Sequence, residues 1–122
     1  MGELQWRLYV SVNYKQKIMA RVAFKMKLLP GYEAEYKKRH HEIWPELSAL
    51  LKGAGISEYS IFLDNETNNL FGFLKAKDQK LLDNLPTQAI MQKWWAYMSD
   101  IMETNPDHSP VSIPLKEVFY LP

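Results

Sequence analysis

The chain has 122 residues, 15 Lys and Arg against 14 Asp and Glu, no cysteine, and an aromatic content of 13% that includes four tryptophans. That length holds one compact domain and needs no metal or disulfide staple. A net charge of +1 gives no basic footprint for nucleic acid or an anionic membrane, and the missing cysteines exclude a disulfide framework, a thiol nucleophile and cysteine-ligated zinc.

Residues 1–18 form a first stretch, in which Trp6 to Tyr14 has strand-like composition. Arg7, Asn13, Lys15 and Lys17 interrupt any continuous apolar run of the signal-peptide type. No segment approaches the roughly 20 apolar residues of a membrane span. A cytoplasmic setting is therefore expected, in keeping with the absence of cysteine.

After Met19 the chain alternates cleanly. Val22, Phe24, Met26 and Leu28 point one way, and Arg21, Ala23, Lys25 and Lys27 the other, which predicts a half-buried strand. Pro30-Gly31 ends it. Residues 32–42 read as a helix, with Glu33–Lys37 and Glu35–Arg39 spaced as i,i+4 ion pairs. Tyr32, Tyr36, His40 and Ile43 share one stripe of it. Pro45 breaks this helix, biases Trp44 to extended geometry, and opens a second helix over 45–52 that stops at Gly53.

Residues 56–63 predict a strand with Tyr59, Ile61 and Leu63 on one face. A polar turn at residues 64–69 and a strand over 70–76 complete a hairpin. A short helix follows at 78–84, cut by Pro86. Thr87 is expected to cap a longer helix to about Met102, burying Met91, Trp94, Met98 and Ile101. Residues 103–114, with three prolines, read as a loop, and Leu115 to Leu121 as the last strand. The order β-α-β-β-α-β predicts an α+β fold: a ferredoxin-like antiparallel sheet with helices on one face. A second copy of the chain would cover the other face, so a homodimer is expected.

The three histidines are His40, His41 and His108. Neighbours on a helix lie about 100° apart, so His40 and His41 do not share a metal, and no H-x-x-x-H spacing exists. No metal site is expected. His40 lies on the Tyr32/Tyr36 stripe, whereas His41 turns away. A histidine there serves either as a general acid or base near neutrality or as a buried side chain bonded to a backbone carbonyl. Tyr36 and Tyr59 are either pocket walls with hydroxyls or ordinary core tyrosines. Trp94-Trp95 fits a stacking surface for the apolar faces of a sugar, or core plus dimer interface. No nucleophile elbow and no glycine-rich phosphate loop is present. Asp64 and Glu66 read as a solvated turn, and Asn105-Pro106-Asp107 as a turn closed by an Asx bond.

Several segments carry a family resemblance. Tyr36 to Leu47 resembles the Y-x-x-R-H-x-x-I-W-P-E-L segment of L-rhamnose mutarotases. Gly55 to Leu63 looks like that family's second strand, and Trp94-Trp95-Ala96-Tyr97-Met98 resembles its W-W-x-Y-M helix. Asn105 to Pro110 and Glu117 to Pro122 are similar to its loop and terminal strand. The likeness runs in order from about Met19 to Pro122, so residues 1–18 are an N-terminal extension and 19–122 the mutarotase domain. His41 stands where Asn is frequent, and Glu42 where some relatives have Pro.

The resemblance implies a dimeric α+β barrel that interconverts the α and β anomers of L-rhamnose, or of a related 6-deoxy hexose. It implies His40 as proton donor, Tyr36, Tyr59, Trp94 and Trp95 as substrate contacts, and no cofactor. Ring opening and reclosure need one positioned acid/base, with Tyr59 or water as the options for its partner base. Two other readings make distinct predictions. A non-catalytic sugar-binding or regulatory module would bind without speeding anomer exchange. A haem-binding dimeric α+β barrel protein, suggested by fold analogy alone, would change the absorbance of added haem.

Overall fold

A computed structural model describes residues 20–122. The strand-like stretch from Trp6 to Tyr14, and Met19, lie outside the described residues. Four strands form one antiparallel sheet: β1 (Ala20–Lys27), β2 (Ile56–Asp64), β3 (Asn69–Ala76) and β4 (Ile113–Leu115). Their order is β2-β3-β1-β4. The helices are α1 (Glu33–His41), α2 (Pro45–Gly53), α3 (Gln79–Asn84) and α4 (Ala89–Met98), with a 3-10 turn at Leu85–Thr87.

The predicted alternation of β1 sets its register. Val22, Phe24 and Met26 stand opposite Leu74, Gly72 and Leu70 of β3. Directly opposed residues share a face, so these side chains form one apolar surface. Met26, Leu28 and Leu70 are buried there with Leu47 of α2, Trp94 and Met98 of α4, and Ile101. The helices thus lie on this sheet face. The other face carries Lys25, Lys75, Phe62 and Phe73.

Phe24 makes one demand on its partner strand. A Cβ on Gly72 would sit well inside van der Waals contact of the Phe24 ring. Only glycine lets that ring lie flat across β3. Gly72→Ala should cost about 1–3 kcal/mol through overpacking, measured as a lower midpoint in urea unfolding with an unchanged slope.

The hairpin matches its polar turn. Asp64 accepts hydrogen bonds from the Glu66 amide and the Thr67 hydroxyl, and Asn68 takes a positive φ of 62°. Strand β2, however, contains a bulge. Ser57 pairs with Lys75 but Ser60 with Phe73, so one residue is extra, and Glu58 has φ 48°. The extra residue shifts the alternation by one, so both Ile56 and the Ile61/Leu63 pair face inward.

Three expectations need correction. The last strand is Ile113–Leu115, pairing with β1 at Lys25, Phe24 and Ala23. It is not Leu115 to Leu121. An edge strand tolerates Pro114, whose ring lacks an amide donor. Beyond it the chain has no regular structure; the Glu117 carboxylate pairs with Arg21, whose guanidinium lies 3.2 Å over the Tyr120 ring. Second, Thr87 does not cap α4. Its hydroxyl donates to the Asn84 carbonyl, and Gln88 is the N-cap. Third, α4 ends at Met98, though Ile101 and Met102 stay buried because Met102 bridges to Leu28.

Candidate active site

Pro30-Gly31 turns the chain from β1 into α1, a polar helix with one buried residue, Tyr36. His40 lies one turn on. Its ring stacks on Tyr36 at 4.2 Å and meets Trp94 edge-on at 5.5 Å. Its Nδ1 lies 3.0 Å from the Tyr36 carbonyl oxygen. A carbonyl only accepts, so Nδ1 carries the hydrogen, and Nε2 is the free lone pair of the neutral ring. The two readings of His40 are thus compatible: it is bonded to a backbone carbonyl and it lines a cleft. Burial holds its pKa below the ordinary histidine value, against the opposing pull of the carbonyl, and His41 lowers it further.

The cleft has a volume of about 1140 Å³ and is bounded by the inner sheet face and the helices. Tyr36, His40, Tyr59, Trp94 and Trp95 all line it. Trp94 is 6% exposed, while Trp95, about 100° further round the helix, is half-buried. Tyr59 meets the edge of Phe24, the ring that Gly72 admits, at 6.1 Å. Tyr59 is 40% exposed overall, yet desolvation pushes its hydroxyl up to about 12. Tyr36 is also pushed far above the ordinary phenol value, first by burial and then by the neighbouring Tyr59. Both phenols therefore keep their protons near neutrality, which leaves each hydroxyl able to donate a hydrogen bond to a ligand.

His41 does not turn fully away. It is exposed, but it lines the same cleft from the last position of α1. Among the described residues, no group of three or more His, Cys, Asp or Glu could hold a metal ion. No helix of the described residues is long and apolar enough to cross a membrane.

Sequence reasoning passed over three contributors. Phe24 lines the cleft beneath Tyr59. Ser109, Pro110 and Ser112 of the long loop close one side. Trp44, extended at φ −62° and ψ 132° before Pro45, packs against Trp94 at 5.1 Å and Tyr97 at 5.5 Å. The Trp-Pro pair was the available signal for Trp44, since proline holds the preceding residue extended.

An aromatic-walled cleft that gathers the His40 imidazole with the Tyr36 and Tyr59 phenols forms a candidate acid/base site for a polar, ring-shaped ligand. The family model described as L-rhamnose mutarotase matches residues 21–121. The L-rhamnose mutarotase of Bacteroides thetaiotaomicron is 61% identical over 103 residues, covering 84% of this chain and 99% of that protein. That of Mesorhizobium japonicum is 59% identical over 101 residues, covering 83% and 96%. The crystal structure of an L-rhamnose mutarotase from Formosa agariphila superposes with a TM-score of 0.79 at 55% identity, covering 84% of this chain and 99% of that one. The chain belongs to the L-rhamnose mutarotase family.

Proposed function

We propose that this protein interconverts the α and β anomers of L-rhamnose, with residues 19–122 as the working domain. The observation that carries the reading is the convergence of His40, Tyr36, Tyr59, Trp94 and Trp95 on one cleft in a member of this family.

In ring opening the ring oxygen gains a proton, the anomeric hydroxyl loses one, and the C1–O5 bond breaks. His40 in its charged form donates from Nε2 to the ring oxygen. Burial makes that imidazolium a stronger acid than a free one. Water takes the anomeric proton; Tyr59 is the poorer candidate for base, because its raised pKa keeps it protonated. The aldehyde rotates about C1–C2, and the C5 hydroxyl attacks its other face to reclose the ring; Nε2 takes its proton back and the water returns its proton to the new anomeric oxygen. Trp94 and Trp95 offer indole faces to the C–H surface of the sugar, and the tyrosines hydrogen-bond to its hydroxyls.

Saturation-transfer NMR on the two anomers tests this directly. Added protein should raise the exchange rate of L-rhamnose above buffer, and a panel of 6-deoxy hexoses reads the specificity. Saturable binding with no faster exchange would instead favour a binding module.

The homodimer, and with it a dimeric α+β barrel, belongs to the same proposal. Its support is the sheet face away from the helices, where Phe62 on edge strand β2 is 66% exposed and Ile113 and Leu115 on the opposite edge strand β4 are exposed too, and the following tail, where Val118 is 90% exposed. Apolar surface of this kind marks association sites. Phe62→Asp should convert a dimer to a monomer in sedimentation velocity. A wild-type chain that sediments as a monomer would overturn the dimer. The cysteine-free composition supports a cytoplasmic setting.

A further inference from the structure

Helix α1 carries His40 but has little to hold it. Its sequence is Glu-Ala-Glu-Tyr-Lys-Lys-Arg-His-His, with Tyr36 its one buried residue. An apolar stripe normally fixes the rotation of a surface helix, and here that stripe is a single ring. Besides the edge contact of His40 with Trp94, the polar tether is Arg39, whose side chain is 10% exposed. Its Nε donates to Glu35 one turn back at 2.7 Å. Its two terminal nitrogens reach both carboxylate oxygens of Asp100, at 2.9 and 3.3 Å. Nη1 also donates to the Tyr97 carbonyl at 2.7 Å, in the last turn of α4. The guanidinium lies 4.4 Å over the Tyr97 ring, which in turn packs on Trp94 at 5.7 Å.

We propose that Arg39 is a positioning residue for the anomer exchange: it locks the end of α1 to the end of α4 and so fixes His40 against Trp94. This rests on the reading of His40 and Trp94 as parts of the sugar site. Arg39 itself does not line the cleft. It acts because His40 and Trp94 sit on different helices, and only their relative placement aligns the acid with a sugar stacked on the indole. The planar fork suits this task. It bonds Asp100 through two nitrogens and the Tyr97 carbonyl at once, which an ammonium group cannot match.

The test compares Arg39→Met, Arg39→Lys and Asp100→Asn by saturation-transfer NMR on L-rhamnose, with circular dichroism for folded fraction. Arg39→Met should lower kcat about tenfold or more, since small misplacements of reacting groups are costly, while KM stays within about twofold because no sugar contact is lost. Arg39→Lys should recover part of kcat, and Asp100→Asn should fall in the same direction by less. A kcat for Arg39→Met within about twofold of wild type overturns the proposal. So does a loss that only tracks the folded fraction, with lysine giving no rescue. If Arg39→Met does not fold, wild-type kcat in both other variants overturns it. His40→Ala, run alongside, separates the two ideas: full exchange there sinks the site reading, whatever the Arg39 series gives.

Discussion

His40→Ala should slow anomer exchange about 10²–10⁴-fold, the usual contribution of one positioned general acid or base. The fold should survive, because Tyr36 is buried in the main core and the Arg39 network does not include the imidazole. The pH profile gives an independent check. Burial holds the His40 pKa below its ordinary value, so the imidazolium is complete only below that lowered value and declines as pH rises through it. A rate carried by the acid form should therefore fall with a midpoint below about 6.5 in kcat/KM. The same shift has a stability sign. Between the lowered native value and the ordinary one, the unfolded chain binds more protons than the native chain, so stability rises with pH across that window. His40→Ala should remove both slopes. A variant that exchanges anomers at the wild-type rate would refute the assignment of the acid.

Trp94→Ala should be the most damaging single truncation for stability, costing about 3–5 kcal/mol. Trp94 meets His40, Trp44 and Tyr97 within 5.7 Å and is 6% exposed. A loss of that size is a large part of the roughly 5–15 kcal/mol that holds a typical domain together. Trp95→Ala makes the informative contrast. Trp95 is half-buried on the cleft wall, so its loss should raise KM for the sugar with a much smaller fall in unfolding temperature. Thermal unfolding and exchange kinetics on both variants separate the roles. Equal stability losses would place both indoles in the core.

Most of the scaffold was legible because local chemistry dictated it. The alternation from Val22 to Leu28, the stop at Pro30-Gly31, the break at Pro45 and the turn at Asp64–Asn69 each have a short-range cause, and each appears. The five candidate residues came from the resemblance, and one cleft gathers them. What escaped depends on distant partners. The bulge at Glu58 is visible only as a mismatch with β3. The last strand forms where β1 offers a free edge, not where Val118 to Leu121 have the stronger strand composition. Thr87 looked like a cap, but Pro86 places it in a 3-10 turn where its hydroxyl is taken by Asn84. Arg39 looked like half of an i,i+4 pair with Glu35, which it is. Its reach to Asp100 belongs to tertiary structure.

The strand order β2-β3-β1-β4 also shapes how the chain reaches this state. β2 and β3 are neighbours in sequence and can zip from their turn within microseconds. β1 must find β3 across two helices, since Ala20 lies opposite Ala76, and such distant pairings set a slow pace for folding. β4 adds three paired residues on an outer edge. Sequence separation thus favours assembly from the hairpin outward, with the walls of the cleft completed once β1 docks. The amides of Ile113 and Leu115 should be the first in the sheet to exchange their hydrogens for deuterium.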